Sequence, residues 1–271
     1  MESFQEILSR DNQRLQRARS VRDRRDRSQI FVEGVRLAEE AVRSGLDITE
    51  CFVSTEFGER DRETELLGSL AATRTACFSI SPKLLASITD TKTPQGVVLL
   101  CEPPSALDLD LIVESDRLRN ALFLFLIEIS DPANLGAVLR TSEAAGVAGV
   151  LISKNSADVF SPRSLRAAMG SAFRLPVRSG VDIEDAVGWA DEMGLIKTGA
   201  DLKATQEYTA TDWTEPRLLV VGSEGHGIGE GLGRRLDELT RIPMENAVES
   251  LNLAVSTGII LFEAKRQRDL I

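Results

Sequence analysis

With one histidine and three cysteines in 271 residues, the sequence has few of the side chains that bind transition metals. A multi-histidine metal site is excluded, and any Ser/His/Asp triad would have to use His226. The cysteines, Cys51, Cys77 and Cys101, lack CxxC spacing, so they indicate neither a zinc site nor a disulfide framework and read as free buried thiols. Also missing is any apolar run long enough to span a membrane, and the first residues, MESFQEILSRDNQRLQRARS, carry no apolar signal-peptide core. These absences point to a cytoplasmic protein. Neither GxGxxG nor GxxxxGK[ST] is present, which weakens nicotinamide and nucleoside-triphosphate readings.

The formal charge of −10 argues against nucleic-acid binding by the surface as a whole, but two segments run against it. Between Arg10 and Arg27, eight arginines face three aspartates. SPRSLRAAMGSAFRLPVR carries Arg163, Arg166, Arg174 and Arg178 with no acid. Either run alone is explained by a solvated helix face; two in one acidic chain favour a polyanionic partner.

Elements alternate along the chain. IFVEGVRLAEEAVRSG reads as a short strand and an amphipathic helix stopped by Gly45, and ITECFVS as a second strand. Helices around 62–71 and 82–87 precede the strand QGVVLLCE at 95–102. The two prolines and charged stretch of PPSALDLDLIVESDRLRN suggest a connector, dividing the chain into 1–106 and 118–271. The second half predicts strands at 121–129, 147–153, 195–198 and 217–222, with helices at 132–145, 162–170, 183–193 and 250–268. Such alternation predicts a parallel sheet covered by helices, an α/β fold.

Three clusters carry chemistry. In SDPANLGAVLRTSEAAG, Asp131 can cap a helix with Pro132 at its first position. Its core face is Leu135, Val138, Leu139 and Ala145, while Gly136, Ala137, Arg140 and Ala144 share the other side. An arginine among residues with almost no side chain suggests that something approaches closely. In LLVVGSEGHGIGEG, an apolar strand runs into a glycine-rich loop that lets backbone approach a ligand, although a loop built of glycines merely to turn would look the same. In RIPMENAVESLNLAVSTGIILFEAKRQ, Ser250 is placed to cap the final helix, Asn252 lies at its mouth, and Ala254 and Gly258 form a small-residue edge.

In this order, DPANLGAVLRTSEAAG, VVGSEGHGIG and IPMENAVESLNLAVS resemble the three motifs of the SpoU (TrmH-like) RNA 2′-O-methyltransferases of the SPOUT superfamily. MGSAFRLPV is also similar to that family, and the N-terminal half, through FVEGVRLAEEAV and TKTPQGVVLL, looks like the RNA-binding substrate domain often fused in front, with the fold of a small ribosomal protein. The resemblance implies a C-terminal trefoil knot, in which the chain after strand 217–222 threads a loop to form an S-adenosylmethionine pocket. It also implies a homodimer packed through the first and final helices of that domain, for which Ala254 and Gly258 would provide the edge. By motif position, Asn134, Arg140, Glu224, Ser250 and Asn252 carry the chemistry, with Gly222, Glu224, Gly225, Ile242, Met244 and Leu251 around the cofactor. Arg22, Arg24, Arg25, Arg163, Arg166 and Arg174 of the basic segments would meet RNA, ribosomal RNA being favoured over transfer RNA by the appended substrate domain. No metal is implied. Asn246 departs from the motif, standing where a glycine is expected.

A free guanidinium, with a pKa above about 12, is a poor base. Arg140 is therefore expected to hold a phosphate and stabilise alkoxide charge while the proton passes to phosphate or water. Glu224 is expected to order the loop or Asn134, since a carboxylate against the sulfonium would favour the ground state. The alternatives are an RNA-binding assembly factor that keeps the fold without catalysis, a transfer-RNA ribose methyltransferase, and a base-modifying SPOUT enzyme.

Overall fold

The computed structural model describes residues 4–73, 75–106, 121–223, 225, 227–246 and 249–270. In the N-terminal half the chain forms β1 (Gln5–Ile7), α1 (Gln13–Arg22), β2 (Ile30–Glu33), α2 (Val35–Arg43), β3 (Ile48–Ser54), α3 (Asp61–Ala71), β4 (Ala76–Ile80), α4 (Pro82–Ile88) and β5 (Val97–Cys101). The C-terminal half forms β6 (Leu122–Leu126), α5 (Pro132–Ala145), β7 (Gly149–Ser153), α6 (Pro162–Ala168), α7 (Ser171–Arg174), β8 (Val177–Val181), α8 (Ile183–Glu192) and β9 (Ile196–Ala200). It continues through β10 (Gln206–Glu207), β11 (Arg217–Val221), α9 (Glu230–Gly233), β12 (Glu238–Arg241) and α10 (Leu253–Arg268). Contacts divide the chain into two compact units, Met1–Pro104 with Phe160–Arg174, and Ser105–Val159 with Leu175–Ile271. Most of the connector expected between 106 and 118 lies outside the described residues.

The first unit holds a five-stranded mixed sheet in the order β1-β4-β3-β5-β2. Strand alternation puts Phe31, Phe52, Phe78, Val98 and Leu100 in one core cluster with Leu15, Ala18 and Val21 of α1. The basic leader is thus an amphipathic helix: apolar residues recur every third position, and the arginines take the remaining faces. Cys51 and Cys101 are buried and Cys77 is half-buried, all as free thiols. Burial pushes the Cys101 thiol up. α6 and α7 join this unit, where Arg166 pairs with Asp90 at 2.7 Å and Arg174 with Glu40 at 2.6 Å.

The second unit is a seven-stranded parallel sheet in the order β10-β12-β9-β11-β6-β7-β8. Its central strands, LFLFL and RLLVV, are buried throughout, as continuous apolar runs between two helical layers must be. On one side Phe123 meets Trp189 edge-on at 5.0 Å within the main core cluster. α5 starts and stops where its sequence dictates, with the Asp131 carboxylate accepting from the Ala133 N–H at 2.7 Å and Gly146 ending it at φ 77°. α10 packs along α5 closely enough that a Cβ on Gly258 would lie 3.3 Å from Thr141 Cγ2. Gly258 of the small-residue edge thus takes up close packing against a helix of its own chain. Among the described residues, no helix is long and apolar enough to cross a membrane.

Candidate functional site

The sheet reverses its order of construction between β6 and β11: β7 and β8 follow on one side, β9 and β12 lie on the other. In open parallel sheets, ligands bind in the crevice beyond the carboxyl ends at such a switch point. Two cavities lie there. One, of 790 Å³, is lined by the segments that follow β9, β11 and β12, together with the mouth of α10. Gly222, Gly225, Ile242, Met244 and Leu251 all line it, and so does Ser250. Glu224 and His226 lie outside the described residues. The contribution of Asp201–Lys203, beyond β9, was missed in the sequence because that turn carries no motif.

Two glycines in the loop have different reasons to be glycine. A Cβ on Gly222 would lie 1.9 Å from the Gly227 carbonyl oxygen, because the loop folds back on itself with the Gly227 N–H donating to the Ser223 carbonyl at 2.9 Å. Gly225 has nothing within 4 Å of such a position and lines both cavities. Asn246 sits at φ 57°, in the left-handed region that glycine favours and asparagine tolerates better than most residues. The backbone shape that the expected glycine would supply is therefore kept.

The second cavity, of 530 Å³, is lined by Glu128 to Asp131, Asn134 and Asn155, and shares Ser223, Gly225 and Leu253 with the first. Asn134 and Asn252 meet at its edge, the Asn252 amide donating to Asn134 Oδ1 at 3.0 Å. Asn252 also caps α10, its Oδ1 accepting from the Ala254 N–H at 3.0 Å. Ser250 is therefore not the cap, and the final helix begins at Leu253 instead of 250. Asn252→Asp should keep the cap, leaving the melting temperature within about 2 °C, whereas loss of a cap costs about 1 kcal/mol. The same change sets a carboxylate against the Asn134 oxygen, so Asn134 must turn over or move away. The activity expected from the motifs should fall by at least about tenfold, as measured by single-turnover assay beside thermal unfolding.

Arg140 is exposed on α5 and lines neither cavity; six residues beyond Asn134, it stands about 9 Å further along the helix. Gly136, on its stripe, is buried. The basic segments are largely engaged. Arg22 donates to Asp23 and to the Thr89 carbonyl, Arg24 to the Gln29 carbonyl, and Arg166 and Arg174 hold the pairs described above. Arg25 reaches Asp23 at 3.4 Å yet keeps 79% of its side chain exposed, and Arg163 is exposed.

The SpoU rRNA Methylase family model matches residues 121–262, and the MRM3-like substrate binding domain model matches 12–99. The 23S rRNA (guanosine(2553)-2′-O)-methyltransferase RlmP of Bacillus subtilis is 28% identical over 269 residues, covering 97% of this chain and 100% of the relative. The 23S rRNA (guanosine-2′-O-)-methyltransferase RlmB of Photobacterium profundum is 35% identical over 179 residues, 65% of this chain and 72% of the relative. Among solved structures, the SpoU methyltransferase AviRb from Streptomyces viridochromogenes in complex with the cofactor AdoMet superposes with a TM-score of 0.83 at 28% identity, covering 95% of this chain and 98% of that one. The AdoMet-bound rRNA methyltransferase from Sinorhizobium meliloti gives 0.82 at 28% identity, covering 97% and 98%.

Proposed function

The chain belongs to the SpoU rRNA methylase family, and from that premise we propose that it transfers the methyl group of S-adenosylmethionine to a ribose 2′-hydroxyl of ribosomal RNA. The observation that carries this reading is the pair of adjoining cavities at the switch point, one lined by every described residue assigned to the cofactor and the other holding the Asn134–Asn252 pair. The larger cavity fits the cofactor: its volume lies within the roughly 300–1,000 Å³ of small-molecule sites. It joins an apolar wall of Ile242, Met244 and Leu251 to a glycine loop and to the charged side chains of Asp201, Glu230 and Arg234, a mixture suited to a base, ribose hydroxyls and an amino-acid end. When bound, the cofactor supplies a methyl group made electrophilic by a sulfonium.

The residues shared by the two cavities, Ser223, Gly225 and Leu253, mark where a ribose would face that methyl. Asn252 fixes the Asn134 amide there and so orients the hydroxyl. Arg140 acts on phosphate and on developing alkoxide charge, and Glu224 orders the loop or Asn134. Because Arg140 lines neither cavity of its own chain, it serves the site of a second copy in a homodimer packed through α5 and α10. Support comes from α10, where Val255 and Phe262 are about half exposed and Ile259 lies between them on one stripe. The first unit, matched by the substrate-binding model, grips the RNA, with Arg25, Arg163 and Arg174 the exposed residues among the candidate contacts. The segment after β11 threads the knot.

Mass-spectrometric mapping of ribose methylation in total RNA, with and without the gene, tests the function. The expected result is loss of one 2′-O-methyl group from ribosomal RNA. Loss from transfer RNA alone would move the target, and an unchanged map would leave the non-catalytic assembly factor.

A further inference from the structure

The cavity beside Asn134 is lined on one side by Glu128, Ser130, Asp131 and Asn155, and by no lysine or arginine among the described residues. A phosphate is repelled from such a wall, so the part of a nucleotide that enters it is the uncharged ribose and base. Asp131 is occupied in capping α5. Glu128 is different. It is exposed, and among the described residues its carboxylate makes no hydrogen bond or ion pair. Its backbone stands at φ 52°, a conformation that costs an ordinary side chain about 1 kcal/mol or more. It is held there by the Glu128 N–H donating to Ser153 Oγ at 2.8 Å and the Ile129 N–H donating to Ser156 Oγ at 3.2 Å. Glycine would meet the backbone requirement without strain, so the carboxylate is not there for the fold.

We propose that Glu128 makes the enzyme selective for guanosine as the methylated nucleotide, its carboxylate accepting the N1–H and N2–H of the guanine base. This rests on the ribose-methyltransferase reading above. An ionised carboxylate only accepts hydrogen bonds, and it has two oxygens side by side. Guanine alone among the four bases presents two adjacent donors on its Watson–Crick edge; adenine and cytosine offer one amino group beside an acceptor, and uracil one N–H between two carbonyls. A carboxylate facing those acceptors is repelled, so one side chain both attracts guanine and rejects the others.

The test uses the full chain with S-adenosylmethionine and a synthetic RNA spanning the mapped position, carrying guanosine, inosine, adenosine or uridine there. Inosine keeps N1–H and lacks the N2 amino group. The wild-type kcat/KM should favour guanosine over inosine by about tenfold and over adenosine and uridine by about a hundredfold. Glu128→Gly, which relieves the positive φ and should melt no lower than wild type, should bring guanosine and inosine within about threefold of each other, with cofactor affinity by calorimetry unchanged. Glu128→Gln, which retains one acceptor oxygen, should fall between. A mapped nucleotide other than guanosine, equal wild-type rates on guanosine and inosine, or a Glu128→Gly variant slowed equally on all RNAs would overturn the proposal while leaving ribose methylation standing. Absence of methyl transfer to any RNA would instead remove the reading beneath it.

Discussion

Replacing Arg140 with alanine is expected to lower single-turnover methyl transfer by about 10²–10³-fold, the usual loss when one donor to a developing oxyanion is removed. Affinity for S-adenosylmethionine should stay within about threefold, because Arg140 is exposed and outside the cavity proposed for the cofactor. Arg140→Lys should recover little, since a point charge on a flexible stem does not reproduce a planar, bidentate contact to phosphate. Calorimetry and a rapid-quench assay separate the two quantities. Activity near wild type in the alanine variant would end the assignment, and a parallel loss of cofactor affinity would move the arginine into the cofactor site.

Gly222→Ala should abolish cofactor binding, weakening it by about a hundredfold or more, and should also lower the melting temperature. The new methyl would fall 1.9 Å from the Gly227 carbonyl oxygen and 2.5 Å from the Ile228 nitrogen. Both are backbone atoms, which cannot swing aside as a side chain end would, so the loop must open. Gly225→Ala is the control, with open space at the same position and so no fold cost. Any loss of affinity there reports contact with the cofactor itself. The two damaged chains can also be combined. In a mixed dimer, an Arg140→Ala protomer keeps its cofactor pocket while a Gly222→Ala protomer keeps its arginine. If the arginine works across the dimer, random mixing restores about a quarter of wild-type activity; if it works within its own chain, mixing restores none.

α5 was readable from residues 131–146 because its signals are local: an aspartate and a proline to start it, a glycine to stop it, and an apolar stripe to bury. The same holds for β3 and for the buried β6 and β11, whose composition states their environment. β1, β4, β8, β10 and β12, of two to five residues and all partly exposed, do not follow from the sequence pattern, because such strands gain their order from a neighbour and not from a continuous apolar run of their own. The site divides in the same way. The residues that line the larger cavity are ones motif resemblance also brings together, but the tasks within the motifs depend on distant partners. Asn252 bonds a residue 118 positions away while capping its own helix, which is why the serine two residues earlier looked the better cap. Gly258 packs closely against Thr141 of its own chain, and the letter of a small residue does not say whether the element it admits belongs to its own chain or to another. Glu224 lies outside the described residues and stays an expectation.

The grouping of residues 160–174 with the first unit bears on how such a protein can change over evolutionary time. The chain passes between its units three times, after 104, 159 and 174, so the two are not beads joined at one link. A recombination event at the connector would exchange the N-terminal segment but leave α6 and α7 behind, with Leu165, Ala168 and Phe173 still built for burial and Arg166 and Arg174 parted from Asp90 and Glu40. An incoming substrate-binding segment would have to fit that inherited patch before it could recognise any RNA. Diversification of targets in this architecture should therefore proceed by point changes around a retained pairing of halves more readily than by swapping one half for another.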